Sequence, residues 1–331
     1  MIFLVPFVSL FGLLMLVFWK KISKFYNVYD YPDFNRKIHK TPIPLLGGFY
    51  IVLNFVLIFL VEFFFVYEID SIFFSTKEFF ILNNSLIFFF IIGYFDDKKS
   101  MNPNLKLFLI IIIILFAVYM DKEVKLEAIT FSFYPEKISL SYYSWIFTVL
   151  CFALFINALN MLDGINCQVA TYILFILFIF IAKGILVNLS LLFILFLLVF
   201  LVLNYQNKIF LGDSGTLLLG FVISYFFIKT YNTQHSFYAD EIFLIMAIPG
   251  YELLRLFFFR IFLGKHPFSS DQNHIHHLLL NKLSYKKTFL IIQITLFSPY
   301  LSFLVFDKFF ISFLFSLSLY LYLIVKFFKK T

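Results

Sequence analysis

Long apolar runs separated by short polar clusters set the pattern of this chain. Eleven runs approach or reach the length needed to cross a hydrocarbon layer as helices: roughly 1–19, 48–67, 79–95, 106–120, 142–159, 168–183, 185–203, 214–229, 241–259, 288–306 and 309–325. They are too uniformly apolar for the alternating strands of an outer-membrane barrel. The pattern predicts an all-α, polytopic integral membrane protein, read as a single transmembrane domain over residues 1–331. One connection, Asp121–Ser141, is longer than its neighbours, and the alternation Thr130-Phe131-Ser132-Phe133 predicts a short hairpin or an interfacial segment there. No repeat and no low-complexity linker interrupts the chain.

Composition agrees. Hydrophobic residues make up 62% of the chain and mean hydropathy is +0.96, more apolar surface than a soluble domain needs. The abundance of Phe, Ile, Lys and Asn reads as the mark of an AT-rich genome and carries no function. Cys151 and Cys167 support no disulfide framework. Met1–Trp19 has no charge, and Lys20, Lys21 and Lys24 follow it, so a first span with its N-terminus outside is expected rather than a cleavable leader.

Charge then orients the runs. With the N-terminus outside, the inside segments are 20–47, 96–106, 157–167, 204–213, 255–287 and the tail, which hold 19 of the 26 Lys and Arg residues. The other side holds seven: Lys77, Lys122, Lys125, Lys137, Lys183, Lys229 and Lys308. This positive-inside bias accounts for the net charge of +7 without nucleic acid. The polar clusters and five of the six histidines fall on that same inside surface; His235 does not.

Each cluster has a bland reading and a chemical one. Asp96-Asp97 closes the third run: a solvated helix end, or a pair of carboxylates suited to a metal or phosphate. Asn157, Asn160 and Asp163 recur every three residues along one helical face: interhelical glue, or a face lining a site. Asn204 and the stretch Phe210-Leu211-Gly212-Asp213-Ser214-Gly215-Thr216 precede the eighth run: an Asp N-cap with turn glycines, or a carboxylate for Mg²⁺ beside free amides that face phosphate. In the long loop from His266 to His277, Asp271 is placed to cap a short helix on which His274 and His277 share a face. Zinc is one reading of these histidines, but no Cys or fourth ligand stands at a customary spacing, and donation to phosphate or sugar oxygens fits better. Arg255 and Arg260 lie just before the loop, and Glu252 sits on the face of Arg255. Arg36…His39-Lys40…Pro42…Pro44…Gly47-Gly48 is a positive-inside flank, or a fixed loop that carries cations to a polyphosphate. Acidic metal ligands, amides and cations on one surface together suit phosphoryl transfer from a soluble nucleotide to a membrane-embedded acceptor.

These motifs, in this order, resemble the polyprenyl-phosphate N-acetylhexosamine-1-phosphate transferase superfamily, of the glycosyltransferase family 4 type. The reading His274-Ile275-His276-His277 and the Arg-x-x-His-x-x-Pro-x-Pro pattern beginning at Arg36 resemble its undecaprenyl-phosphate N-acetylglucosaminyl-1-phosphate transferase branch, which starts O-antigen (lipopolysaccharide), enterobacterial common antigen or teichoic-acid linkage synthesis in cell-wall biogenesis. The alternative branch, the phospho-N-acetylmuramoyl-pentapeptide transferases of peptidoglycan synthesis, usually reads His-His-His. A transporter using the same carboxylates is the rival from another class; its site is expected near the bilayer midplane.

The resemblance implies a Mg²⁺-dependent phosphotransferase, with Mn²⁺ as the alternative ion. It would move a sugar-1-phosphate from a UDP-N-acetylhexosamine to undecaprenyl phosphate and release UMP. It implies a multi-pass protein of the bacterial inner membrane, lipid contacts, no nucleic acid, a cytoplasmic site, and homodimers as an admissible assembly. By the same resemblance Asp213 and Asp97 are the metal ligands, and Asp96 or Asp97 deprotonates the lipid phosphate or holds it to the metal. Asn160, Asp163, Asn166 and Asn204 are assigned to the nucleotide side, with Phe210 stacking on uracil. His274, His276 and His277, with Arg260 and Lys40, steady phosphates and sugar. The chain departs from the family's Asp-Gly-x-Asp-Gly at Asp163-Gly164-Ile165-Asn166-Cys167, where Asn166 brings no charge and Cys167 must avoid positive φ or bear strain.

Overall fold

The computed structural model describes residues 4–32, 41–65, 75–265, 267 and 273–328. Among them lie α1 (Leu4–Tyr26), α2 (Gly47–Phe65), α3 (Thr76–Lys98), α4 (Pro103–Met120), α5 (Ser144–Leu162), α6 (Gln168–Ala182), α7 (Val187–Tyr205), α8 (Gly212–Gln234), α9 (Ala239–Phe262), α10 (Ile275–Leu280), α11 (Tyr285–Phe306) and α12 (Phe309–Phe327). Ten of these are long and apolar enough to cross a membrane. The architecture is therefore the all-α polytopic one expected. Each of the eleven apolar runs is a helix, but α6 has only 15 residues, about 22 Å of helix against a hydrocarbon core of about 30 Å.

Several boundaries differ from the hydropathy reading for a physical reason. α1 continues past Lys20, Lys21 and Lys24, because backbone hydrogen bonding does not stop where lipid does and lysine stems can lie along apolar surface. Sharper stops come from side chains. Ser75 Oγ accepts from Glu78 N at 3.3 Å to start α3, and Asn102 Oδ1 accepts from Asn104 N at 2.9 Å with Pro103 in the first turn of α4. The expected hairpin is present: β3 (Ala128–Phe131) pairs antiparallel with β4 (Tyr134–Ser139), and Asp240 of α9 fastens its turn by accepting from Ser132 N at 2.8 Å and from Ser132 Oγ. A second ladder of two residues each joins β1 (Tyr29–Asp30) to β2 (Ile43–Pro44), just before α2.

The centre of the bundle is α8, buried without interruption from Ser214 to Tyr231 and packed by α2, α3 and α5. A helix enclosed by protein can carry polar residues that lipid would not tolerate. α3 crosses α8 so closely that a Cβ on Gly93 would fall 2.2 Å from Ser214 Cα, so the C-terminal end of α3 and the N-terminal end of α8 are brought together. At the far end, Lys229 is fully buried rather than in a loop. Its ammonium pairs with Glu78 at 2.7 Å, Asp121 at 2.9 Å and Glu123 at 2.7 Å, while Tyr225 donates to Asp121 at 2.5 Å. That network ties α3, the C-cap of α4 and α8 at one end of the bundle. Removing one partner leaves carboxylates buried without a counter-charge, so Lys229→Met is expected to destabilise the protein by about 3–5 kcal/mol. Thermal unfolding of the purified chain in detergent checks this; an unchanged transition would show that the network contributes nothing.

Candidate active site

The site begins at the first turn of α8. Gly212 has φ +73°, a turn that a side chain resists, and a Cβ there would meet Asp97 Oδ2 at 2.7 Å. The turn exposes the first amides of α8, which have no partner within their own helix. Asp97, from the last turn of α3, satisfies them: its carboxylate accepts from Asp213 N at 2.7 Å, Ser214 N at 3.1 Å and Ser214 Oγ at 2.7 Å. Asp97 thus caps a neighbouring helix, which the helix dipole also favours.

Its neighbour Asp96 points elsewhere, accepting from Met101 N at 2.6 Å and Lys106 Nζ at 2.6 Å. Lys106 also lies 3.4 Å from Asp213 Oδ1, so a single ammonium bridges two of the three carboxylates. Sequence reasoning counted Lys106 only as inside charge. The signal for it is the short Asn102-Pro103 helix start, which folds the first turn of α4 back over the Asp pair. From α5, Asn160 Nδ2 donates to Asp213 and, at 2.7 Å, to Thr216 Oγ1. Asn157 instead donates to Ala153 O of its own helix at 2.7 Å.

Asp163 stands where α5 ends and is exposed to the cavity. Burial, helped by the charges of Asp213 and Asp97, pushes its carboxyl up to about 7. The loop that follows is locked to α7. Asn204 accepts from Cys167 N at 2.6 Å and donates to Ile209 O at 2.8 Å, which uses both ends of its amide. Asn166 Nδ2 donates to Asn204 O at 2.9 Å and to Asn207 Oδ1 at 2.7 Å. Cys167 does take positive φ, at +66°, a conformation that glycine adopts more readily.

The histidines arrive on α10. His276 is buried, its ring set against Gly164 and beside His274 and His277, with centroids 5.3 Å and 4.3 Å away. Burial, then the neighbouring imidazoles, holds it well below the usual histidine range, so it is neutral. Arg260 donates to Pro267 O at 2.8 Å and lies 3.5 Å from His274 Nε2. Lys40, Arg36, His39, His266 and Asp271 lie outside the described residues; the N-cap of α10 is His274.

Asp96, Asp97, Asn160, Asp163, Asn166, Asn204, Phe210, Asp213, Arg260, His274, His276 and His277 all line one cavity of about 1610 Å³, which also takes in Lys106, Tyr285 and Lys286. The cavity lies at the ends of helices, not midway along them. Its donor set suits a hard divalent ion held by one or two carboxylates plus ligand oxygens: the contacts from Asn160 and Lys106 both fall on Asp213 Oδ1, whereas both oxygens of Asp97 accept from α8. Among the described residues, the one ready grouping of three acidic ligand atoms is Glu78, Asp121 and Glu123, where the Lys229 ammonium sits. Among the described residues the histidines are not gathered into a zinc set.

An all-helical membrane protein with an acidic, lysine-braced cavity at one end of its bundle is the class defined so far. The model of the glycosyl transferase family 4 matches residues 79–231, from α3 through most of α8. The chain is 24% identical over 289 residues to the undecaprenyl-phosphate alpha-N-acetylglucosaminyl 1-phosphate transferase of Yersinia pestis, covering 83% of this chain and 75% of the relative. It is 27% identical over 285 residues to the probable undecaprenyl-phosphate N-acetylglucosaminyl 1-phosphate transferase of Bacillus subtilis, covering 83% and 76%. With the enzyme of the first name from Escherichia coli the identity is 25% over 287 residues, covering 82% and 74%.

Two outcomes follow from the loop and the histidine. A non-glycine residue in the left-handed region costs about 1–2 kcal/mol, partly offset by the entropy of glycine in the unfolded chain. Cys167→Gly should therefore raise stability by about 0.5–1 kcal/mol and Cys167→Ala should not, as read by paired unfolding curves. His276 has a folded-state pKa below its unfolded value, so the unfolded chain binds the extra proton and stability falls as pH drops through about 6.5. His276→Gln should flatten that fall between pH 7 and 5; an identical slope would mean that His276 is already charged in the fold.

Proposed function

We propose that the protein transfers an N-acetylhexosamine-1-phosphate from a UDP-sugar to undecaprenyl phosphate and releases UMP, starting a lipid-linked intermediate of a cell-surface polysaccharide. Support for an enzyme of the phosphotransferase kind comes from the family 4 match and the transferase-named relatives. The observation that carries the reading is the convergence of Asp96, Asp97, Asp163 and Asp213 in one cavity at the helix ends, where Lys106 pairs with Asp96 and Asp213. Such an excess of carboxylate calls for a metal ion and polyphosphate rather than for an anion alone. The site end also carries most of the Lys and Arg, which supports a cytoplasmic site facing a soluble nucleotide donor.

In this reading an oxygen of the lipid phosphate attacks the phosphorus that bears the sugar. The bond from that phosphorus to the bridging oxygen breaks, and its electron pair leaves on UMP. A phosphate monoester with a second pKa of about 6 is already largely ionised, so no strong base is required. The barrier is the approach of two anions, and lowering it is a matter of placement and charge. A Mg²⁺ ion held by Asp213 would neutralise pyrophosphate charge. Lys106 is placed to release one carboxylate contact and take a phosphate oxygen. Asp97 acts on α8, holding Asp213 in place, rather than on the lipid. Arg260 and the histidines stand where phosphate and sugar oxygens would need donors, with His276 neutral and so able to donate as well as accept. Asn160 and Asp163 face the donor side.

The test is UMP release by the purified full chain from a panel of UDP-sugars, including the muramoyl-pentapeptide nucleotide. Release should require both undecaprenyl phosphate and Mg²⁺ and should favour an N-acetylhexosamine donor. Asp213→Asn should lower the rate by about 10²–10³-fold while the protein still folds. UMP formed without the lipid acceptor, or full activity in Asp213→Asn, would overturn the reading.

A further inference from the structure

The three histidines stand at the N-cap and in the first turn of a helix of six residues, too short to hold itself. What fixes it is a charge cluster from two other helices. Glu252, on α9 and buried, accepts from Ile275 N, the first amide of α10, at 2.7 Å. The same carboxylate accepts from Arg255 Nε at 3.0 Å, Arg255 Nη2 at 2.8 Å and Tyr320 Oη at 2.5 Å. Arg255 also donates to Tyr320 Oη at 2.9 Å and to Asn273 O at 2.6 Å, one residue before His274. Tyr320 lies on α12, and its ring is buried. The chain on both sides of His274 is therefore gripped, at Asn273 O and Ile275 N, by a single acid–base pair that α12 completes. Glu252 and Arg255 sit three apart on one helix face, but a helix-surface pair would not need a buried tyrosine or two backbone groups from another segment.

We propose that Glu252, Arg255 and Tyr320 form a positioning unit that sets the direction of His274, His276 and His277 into the cavity, so that the last helix of the chain takes part in the site without reaching it. As a statement about placement this stands on the contacts alone; as a statement about catalysis it rests on the transfer reaction proposed above. None of the three residues lines the cavity. Their loss should therefore leave donor binding nearly unchanged and lower turnover, because small errors of placement weaken charge stabilisation in the transition state more than in the ground state.

The experiment uses the full chain in detergent and compares Glu252→Gln and Tyr320→Phe with wild type. Tyr251→Phe serves as control, since it removes only the 3.0 Å contact to Ser316 between the same two helices. Peptide-resolved labelling with diethyl pyrocarbonate reads the position of His276, with His235 as internal reference. Both test variants should label His276 faster than wild type, by about tenfold in Glu252→Gln, with the control unchanged. In the UMP assay kcat should fall by about 10²-fold in Glu252→Gln while KM for the UDP-sugar stays within about twofold. If Glu252→Gln does not fold, Tyr320→Phe decides. A wild-type labelling rate in Tyr320→Phe, or a kcat no lower than that of the control, overturns the proposal. A wild type that releases no UMP defeats the transfer reading while the labelling still decides the placement.

Discussion

The contact on which the rest depends is the grip of the Asp97 carboxylate on the first amides of α8. A buried helix start presents N–H groups that must find acceptors, and the local chain offers none. Supplying the acceptor from α3 solves two problems at once. It satisfies the amides, and it fixes Asp213 within reach of Lys106 and Asn160. Gly212 is what lets the carboxylate come so near, since its own Cβ would occupy that place. The arrangement also explains why adjacent acidic residues are tolerated: Asp96 and Asp97 face different partners, one a lysine, the other a helix end.

α8 is held in this way at both ends. Asp213 and Lys229 are 16 positions apart, or about 24 Å of helix. At one end carboxylates outnumber the lysine and face a cavity. At the other, the buried Lys229 ammonium pairs with three carboxylates, of which Glu123 is half exposed. The chemistry of the two clusters is alike, but the ammonium of Lys229 is spent on protein, whereas Lys106 has a cavity beside it. What separates the two is the cavity, which lets a ligand reach the acidic groups beside Lys106.

Much of this was legible in the chain. The eleven apolar runs announced the helices because lipid and core select the same residues. The polar clusters announced the cavity because such residues are costly within a bilayer unless they meet one another. What the pattern could not show was direction. Asn204 reads as a ligand contact by type and place, yet both ends of its amide are bound to backbone, at Cys167 N before α6 and at Ile209 O after α7. Lys106 and Lys229 both read as flanking charge, although one lies in the acidic cavity and the other is buried at the far end of the bundle. Glu252 and Arg255 read as a helix-surface pair, because the tyrosine that completes them is 65 residues beyond Arg255 and the backbone groups they hold belong to a third segment. Side chains that act on backbone leave no periodic trace.

The same difference bears on how the cavity withstands its own charge. Gathering carboxylates without enough cations costs stability, and the cost is tolerable only where water or a ligand ion can reach them. Asp163 shows the strain most directly: it is open to the cavity and still pushed up to about 7 by burial and its acidic neighbours. Each element that frames the cavity is tied by at least one charged group: α8 by Asp97, the first turn of α4 through Asp96 and Lys106, and α10 by Glu252 and Arg255. In an acidic pocket built this way, repulsion among the ligand-facing groups is balanced by attachment behind them. A cation that enters therefore lowers the electrostatic cost without first having to assemble the site.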